Sequence, residues 1–233
     1  MVKTKILILC GGKGKRMKKF TNKIPKPLVK VGKVPILQHK INYYNSQGFK
    51  NLVFCVGYKA KKIENFLKNK YKGITFSNAG VNSGILKRIF FAFEDLTSPS
   101  IITYGDTLAK INLNDLLLKH KKTKSLMSLV VAPIKNPFGI VKWNKKNKLT
   151  SFEEKPTLNH FIGYAVIDPK IFKYLNKKII NSKNGLGMVR AIQLLTSKKL
   201  VNVYKYNGLQ LTINSLSELK EARSKIGKYI TFN

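Results

Sequence analysis

A short apolar run, Ile6-Leu7-Ile8-Leu9-Cys10, leads directly into Gly11-Gly12-Lys13-Gly14-Lys15-Arg16. Glycines in such a place let backbone N–H groups come close to phosphate oxygens, and Lys13, Lys15 and Arg16 add positive charge. The spacing excludes two common phosphate loops. The dinucleotide fingerprint G-x-G-x-x-G fails because Met17 stands where its third glycine would be, counted from Gly12, and G-x-x-x-x-G-K-[ST] is absent. A basic turn without a ligand is the alternative. Position favours the phosphate site, because open α/β sheets bind ligands at the C-terminal edge of their strands. Further on, Pro25-Lys26-Pro27 sets one lysine between two prolines. The prolines stiffen the backbone and fix where Lys26 points, which suits a charge clamp on a phosphoryl group in its transition state.

The elements that must hold these groups follow from the hydrophobic pattern. Residues 2–10 read as a buried parallel strand, and 35–47 as a helix with Ile36, Leu37, Ile41 and Tyr44 inward and Gly48 past its end. Strands at 52–56, 74–76 and 100–104 alternate with helices at 60–69, 84–96 and 112–120. That rhythm predicts a mostly parallel sheet with helices on both faces. The second half changes character. Strands are expected at 125–133, 162–167 and 201–206, and a hairpin at 140–143 and 149–153 around Asn144-Lys145-Lys146-Asn147. Helices are expected just after Asp168-Pro169, at 188–196 and at 215–226. With no repeat and no linker, residues 1–233 are expected to form one domain. Residues 1–123 and 124–233 would be its two halves.

Composition narrows the function. The chain of 233 residues is 43% hydrophobic, carries 45 basic and 10 acidic residues, and has a formal charge of +35. Such charge suggests a polyanionic partner, but only four of the basic residues are arginine, and the lysines are spread over the whole chain. A nucleic-acid reader would use more planar guanidinium forks and aromatics interleaved with its cations, so no specific nucleic-acid partner is expected. No hydrophobic run is long enough to span a bilayer. The apolar start is too short for a signal peptide and meets the glycine loop where a cleavage site would stand. Cys10 and Cys55 both sit in strand-like runs and read as buried thiols of a reducing, cytoplasmic compartment.

Together the motifs resemble a family. Residues 9–16, then Pro25-Lys26-Pro27-Leu28 and Pro35-Ile36-Leu37, are similar to the signature of sugar-1-phosphate nucleotidyltransferases. The resemblance continues through Gly57-Tyr58-Lys59, Leu86-Lys87-Arg88, Thr103-Tyr104-Gly105-Asp106, Pro137-Phe138-Gly139-Ile140-Val141 and Phe152-Glu153-Glu154-Lys155-Pro156. The tyrosine before Gly105-Asp106 and the Leu-Lys-Arg run look most like the glucose-1-phosphate cytidylyltransferases, with the heptose-phosphate guanylyltransferases close behind. The implied fold is α/β, a three-layer Rossmann-like nucleotide-diphospho-sugar transferase fold with a mixed, mostly parallel sheet and a small acceptor-side lobe. The resemblance implies that the two halves, 1–123 and 124–233, are nucleotide-binding and acceptor-binding.

The implied activity is transfer of a nucleoside monophosphate from an NTP, CTP favoured, to a phosphorylated sugar or similar small acceptor, with release of pyrophosphate. The resemblance assigns nucleotide binding to Leu9, Cys10, Gly11, Gly12, Lys13, Gly14, Lys15, Arg16, Lys26, Asn82, Gly84 and Asp106. Arg16, Lys26 and Asp106 would be the catalytic set, and Gly139, Glu154, Lys155 and Gly163 the acceptor side. Asp106 would hold Mg²⁺, and a lone carboxylate after a strand, next to a glycine, suits that hard cation. Self-association into a homo-oligomer stays open. The chain departs from the family pattern at Lys15, at Asn82-Ser83-Gly84 and at Phe161. It departs again at Thr212, which stands where the pattern has a second metal-binding aspartate. No Asp or Glu lies between Asp168 and Glu218 to replace it. A catalytically impaired homologue that only binds nucleotide or sugar phosphate is the competing expectation.

Overall fold

The computed structural model describes residues 4–231 apart from 69, 95 and 96. The expected strand start at 2–3 and the expected helix ends at 69 and 95–96 lie outside the described residues. Strand β1 (Ile6–Leu9) runs into the glycine loop, a 3₁₀ turn (Lys15–Met17) and helix α1 (Lys18–Thr21). A second 3₁₀ turn (Lys26–Leu28) and the small hairpin β2 (Lys30–Val31) and β3 (Val34–Pro35) follow. Next come α2 (Ile36–Ser46), β4 (Leu52–Val56), α3 (Ala60–Lys68), β5 (Ile74–Asn78), α4 (Ile85–Ala92) and β6 (Ser100–Tyr104). A short β7 (Thr107–Ala109) precedes α5 (Leu113–Lys121), whose N-cap Asn112 accepts the Asp115 N–H at 2.9 Å. The second half supplies β8 (Met127–Lys135), β9 (Ile140–Trp143), β10 (Leu149–Glu153), β11 (Thr157–Ile167), α6 (Lys177–Ile180), α7 (Leu186–Ser197), β12 (Val201–Lys205), β13 (Gln210–Thr212) and α8 (Leu216–Thr231).

Seven strands form one sheet in the order β12-β8-β11-β6-β1-β4-β5. Strand β1 lies at its centre, parallel to β4 on one side and β6 on the other. Only β11 runs antiparallel to its neighbours, pairing with β6 and β8. The second half therefore extends the same sheet as the first. Alternate strand residues face opposite layers, as a pleated strand requires. Ile6 and Ile8 pack with Leu37 and Ile41 of α2, Ile63 of α3 and Leu116 of α5. Leu7 packs on the other face with Leu86 and Ile89 of α4 and Ala191 and Leu195 of α7. The result is three layers, helix on sheet on helix. A third apolar cluster, including Met17, Val29, Leu108, Leu211 and Ile226, packs β2, β7, β13 and α8 together beside the sheet.

Where the structure differs from the sequence pattern, the cause is length or exposure. Strand β11 starts at Thr157 rather than 162, because residues 157–161 pair with 131–135 as a ribbon whose first half is exposed and carries no continuous apolar run. Elements β2, β3, β7, β13 and α6 are two to four residues long, too short to show a period. The hairpin of β9 and β10 is present as expected. Asn144 Oδ1 accepts two backbone N–H groups in its turn, and Asn147 adopts the left-handed conformation.

Among the described residues, one charged side chain is wholly inside. Lys40 of α2 is 0% exposed, and its ammonium donates to Thr103 Oγ1 (2.9 Å), Thr107 O (2.5 Å) and Tyr164 Oη (2.7 Å). Its three protons thus meet three acceptors, and the Tyr164 ring lies 4.5 Å away. Thr103 and Thr107 belong to the strands on either side of the turn at residues 104–106 and Tyr164 to β11, so α2 is pinned to both flanks of that turn and to the neighbouring strand. Replacing Lys40 with Met removes three charge-assisted bonds. It leaves Thr103 Oγ1 only the Tyr44 hydroxyl and Thr107 O only the Tyr164 hydroxyl as side-chain donors among the described residues. Urea unfolding of Lys40→Met is expected to give a free energy lower than wild type by about 1–3 kcal/mol, with the far-UV spectrum unchanged.

Candidate active site

The reversal of strand order at β1 opens a crevice at its C-terminal end, and the glycine loop lies in it. Gly14 has φ +60°, and an added Cβ would stand 2.8 Å from Thr21 Cγ2, so only glycine fits this turn. Gly105 follows β6 and donates its N–H to Leu9 O at 3.1 Å. A Cβ there would stand 2.7 Å from that same carbonyl, so the absence of a side chain brings Asp106 against the end of β1.

Asp106 meets Lys26 directly, with Nζ to Oδ2 at 2.5 Å. The proline-bracketed 3₁₀ turn holds Lys26 in place: Pro25 is its extended N-cap, and Pro27 is buried. Lys26 Nζ also donates to Asn214 Oδ1 at 2.8 Å, and Arg16 donates to the same oxygen at 2.9 Å. Two cations thus converge on one amide oxygen beside one carboxylate. Asn214 is carried there by the pairing of β13 with β7 and by the Ile213 N–H bond to Asp106 O at 3.0 Å. Helix α8 then fixes it. Glu218 Oε2 accepts the Asn214 N–H at 2.6 Å, and Ser215 Oγ accepts the Glu218 N–H at 3.2 Å, in the manner of a capping box.

The crevice has two connected parts, of about 720 and 260 Å³. The smaller is lined by the cationic set Lys15, Arg16 and Lys26 together with Cys10, Asp106 and Asn214. The larger reaches from residues 9 and 11–15, across Asp106, to residues 81–83 and 183–185. Lys13 bridges its mouth by donating to Asn82 Oδ1 at 3.1 Å. Tyr104 forms part of its wall; burial, and then the charge of Asp106, push its hydroxyl up to about 12. Cys10 and Cys55 are buried free thiols, and burial raises both, Cys55 to about 12.

The sequence-predicted residues separate in space. Leu9, Gly12, Gly14, Lys15 and Asp106 line both parts, Gly11, Lys13 and Asn82 only the larger, and Cys10, Arg16 and Lys26 only the smaller. Gly84 lines neither. It caps α4, packed so closely on Ser182 O that a side chain would overlap it, and its role is to dock α4 on residues 182–184. The acceptor-side set stands apart from both parts. Gly139, Glu154 and Lys155 lie at the base of the exposed hairpin, where Glu154 and Lys155 pair with each other at 3.4 Å. Gly163 is buried in a β11 bulge at φ +78°, directly against the Tyr104 ring. Thr212 pairs with Thr107 in β13; its hydroxyl accepts from Gln210 at 2.9 Å and lies 3.5 Å from Thr107 Oγ1. The neutral residue that meets the cationic pair is Asn214.

Four features of the site have no site role assigned from the sequence. Arg88 and Tyr104 line the larger part, but their signal was only membership of longer motifs. Residues 183–185 carry an Asn-Gly turn signal with nothing to tie it to the glycine loop. Asn214 stands in the segment that aligns with the second aspartate and, with Thr212, favoured an impaired homologue, but nothing in the sequence places its amide against Lys26 and Arg16.

Comparison with known proteins now adds to this geometry. The nucleotidyl transferase family model matches residues 5–223. A relative from Bacillus subtilis (strain 168), "Probable glucose-1-phosphate cytidylyltransferase", is 32% identical over 93% of this chain and 94% of its own. The D-glycero-alpha-D-manno-heptose 1-phosphate guanylyltransferase of Aneurinibacillus thermoaerophilus is 29% identical over 64% of this chain and 66% of its own. The crystal structure of HddC from Yersinia pseudotuberculosis complexed with GMP-PN superposes with a TM-score of 0.73, at 18% identity, covering 96% of this chain and 99% of that one. On the family match and the Bacillus relative together, the chain belongs to the nucleotidyl transferase family, as its motifs implied.

Proposed function

We propose that this protein transfers a nucleoside monophosphate from an NTP to a sugar 1-phosphate or a related phosphorylated acceptor, releasing pyrophosphate, in the cytoplasm where NTPs are made. The observation that carries this reading is the convergence of Lys26, Arg16 and Asp106 at the mouth of the glycine loop. CTP is the favoured donor, a choice supported by the name of the Bacillus relative.

In this reaction an acceptor phosphate oxygen attacks the α-phosphorus in line. One P–O bond forms there, the bond to the β-phosphate bridge breaks, and pyrophosphate carries off the electron pair. The protein's task is to position the groups and neutralise their charge. Backbone N–H groups of residues 11–14 and the side chains of Lys13 and Lys15 suit the triphosphate. Lys26 and Arg16, held 2.8 and 2.9 Å from one shared oxygen, stay aimed at the charge that grows on the leaving group.

Among the described residues, no three His, Cys, Asp or Glu side chains cluster to hold a metal. Asp106 alone still fits Mg²⁺, which commonly takes one carboxylate and completes its shell with water and substrate phosphates. Lys26 engages Asp106 Oδ2, whereas Oδ1 has only a long contact, 3.3 Å, with Thr107 Oγ1. Mg²⁺, when bound, would add charge neutralisation at the phosphates. Thr212, in the place of a second carboxylate, would add no negative charge, and its hydroxyl is already engaged. That single-carboxylate site favours a second reading: a protein that binds the nucleotide and does not turn it over.

Pyrophosphate release with Mg²⁺, tested with CTP, GTP, UTP and dTTP against a panel of sugar 1-phosphates and phosphorylated alcohols, separates the two. The expected result is turnover with one pair, lost by about two orders of magnitude or more in Asp106→Asn. Nucleotide binding without turnover across the panel would favour the binding protein. For Lys26→Met, kcat is expected to fall about 10²–10³-fold with the fold retained. An unchanged kcat would remove Lys26 from the mechanism.

A further inference from the structure

Arg88 is a cation that the chemistry above leaves unused. It projects from α4 and is 5% exposed, and among the described residues no carboxylate stands within ion-pair distance of it. Its guanidinium donates instead to two backbone carbonyls. One nitrogen reaches Val56 O at 2.7 Å, at the end of β4, and the other reaches Val81 O at 3.1 Å, in the segment leading to α4. A Cβ on Gly11 or on Gly57 would overlap the guanidinium. Two glycines at the ends of β1 and β4 therefore leave room for one arginine head. The fork thus ties the end of β4 to residues 81–83, with Gly11 of the glycine loop packed against its head, and the glycine loop, residues 81–83 and Arg88 all line the larger part of the crevice. No hydrogen bond links it to Lys26, Arg16, Asp106 or Asn214 among the described residues.

Arg16, Lys26 and Asn214 line only the smaller part and residues 81–83 only the larger, so the far end of the larger part is left for the nucleoside. We propose that Arg88 is a specificity-determining positioning residue, fixing the separation of the glycine loop and residues 81–83 and so the base and ribose that the crevice accepts. The inference rests on the nucleotidyl-transfer reading of the same crevice. A planar fork is needed because the two carbonyls lie on different segments. A lysine offers a single nitrogen at the end of a flexible stem and cannot tie both in one fixed plane. Burying a guanidinium without a counter-charge is costly unless its donors are satisfied, and here Val56 O and Val81 O each take one of its N–H groups.

The test measures binding of CTP, UTP, GTP, dTTP and inorganic tripolyphosphate by calorimetry, with steady-state kinetics alongside, for wild type, Arg88→Met and Arg88→Lys. Expected for both variants is a loss of about tenfold in affinity for the preferred NTP, about the effect of one or two hydrogen bonds. The spread between best and worst base should narrow by a similar factor. Tripolyphosphate affinity and the acceptor KM should stay near wild type. Gly57→Ala provides a second route, since its methyl displaces the guanidinium while Arg88 remains. It should reproduce the same pattern, and adding it to Arg88→Ala should cause little further loss. An equal loss for every NTP and for tripolyphosphate, with base ranking kept, would reduce Arg88 to general support and overturn the proposal. So would full selectivity in Arg88→Lys. Wild-type protein that binds no NTP would instead bring down the underlying functional reading.

Discussion

The structure depends on the place of β1 at the centre of the sheet, with parallel neighbours on both sides. A right-handed crossover to one neighbour puts its helix on one face, and a crossover to the other puts its helix on the opposite face. The connections therefore part above β1, and a crevice opens at its C-terminal end. Each group assigned to phosphate handling reaches that gap by its own route. The glycine loop leaves β1, Asp106 follows β6, and Lys26 sits on the stiff turn after α1. Asn214 comes from the chain's far end, on the β7–β13 ladder.

Charge is the second constraint. The chain carries 45 basic and 10 acidic residues, so most cations have no carboxylate to meet. On the surface water accommodates them. Inside, the fold answers differently at each position. Lys26 takes the one carboxylate of the site, and Arg16 and Lys26 share an amide oxygen. Lys40 and Arg88 are satisfied by hydroxyls and backbone carbonyls. Lys40 bonds to both flanks of the Asp106 turn, and Arg88 bonds to the end of β4 and to Val81 in the crevice wall. Buried cations without counter-ions need rigid acceptors, and rigid acceptors are what a site built on strand ends supplies.

Much of this was legible in the chain alone. The apolar runs at Leu52–Val56 and Ser100–Tyr104 are strands as read, because a fully buried strand needs a continuous β-branched or apolar run. Gly11 to Gly14, Lys26 and Asp106 were readable as phosphate and cation chemistry, since glycine spacing, proline bracketing and a scarce carboxylate are local properties. The short elements were not. A two- or three-residue strand such as β7 or β13 has no period and exists only because its partner is present. The acceptor-side residues were legible as a motif, but their placement at the base of an exposed hairpin was not.

What the sequence by itself determined is the order of the longer strands and helices, the glycine-rich and basic character of the loop after β1 and the identity of its cationic groups. Side-chain type and hydrophobic period act within a few residues. Tertiary structure alone decided which distant residues share the crevice. It set Asn214, 188 residues from Lys26, on the same nitrogen as Asp106, and made Gly11 and Gly57 two halves of one socket for Arg88. It also left Thr212 hydrogen-bonded to its neighbours beside Asp106. Such pairings depend on strand register and on which helix covers which face, and no local spacing encodes either.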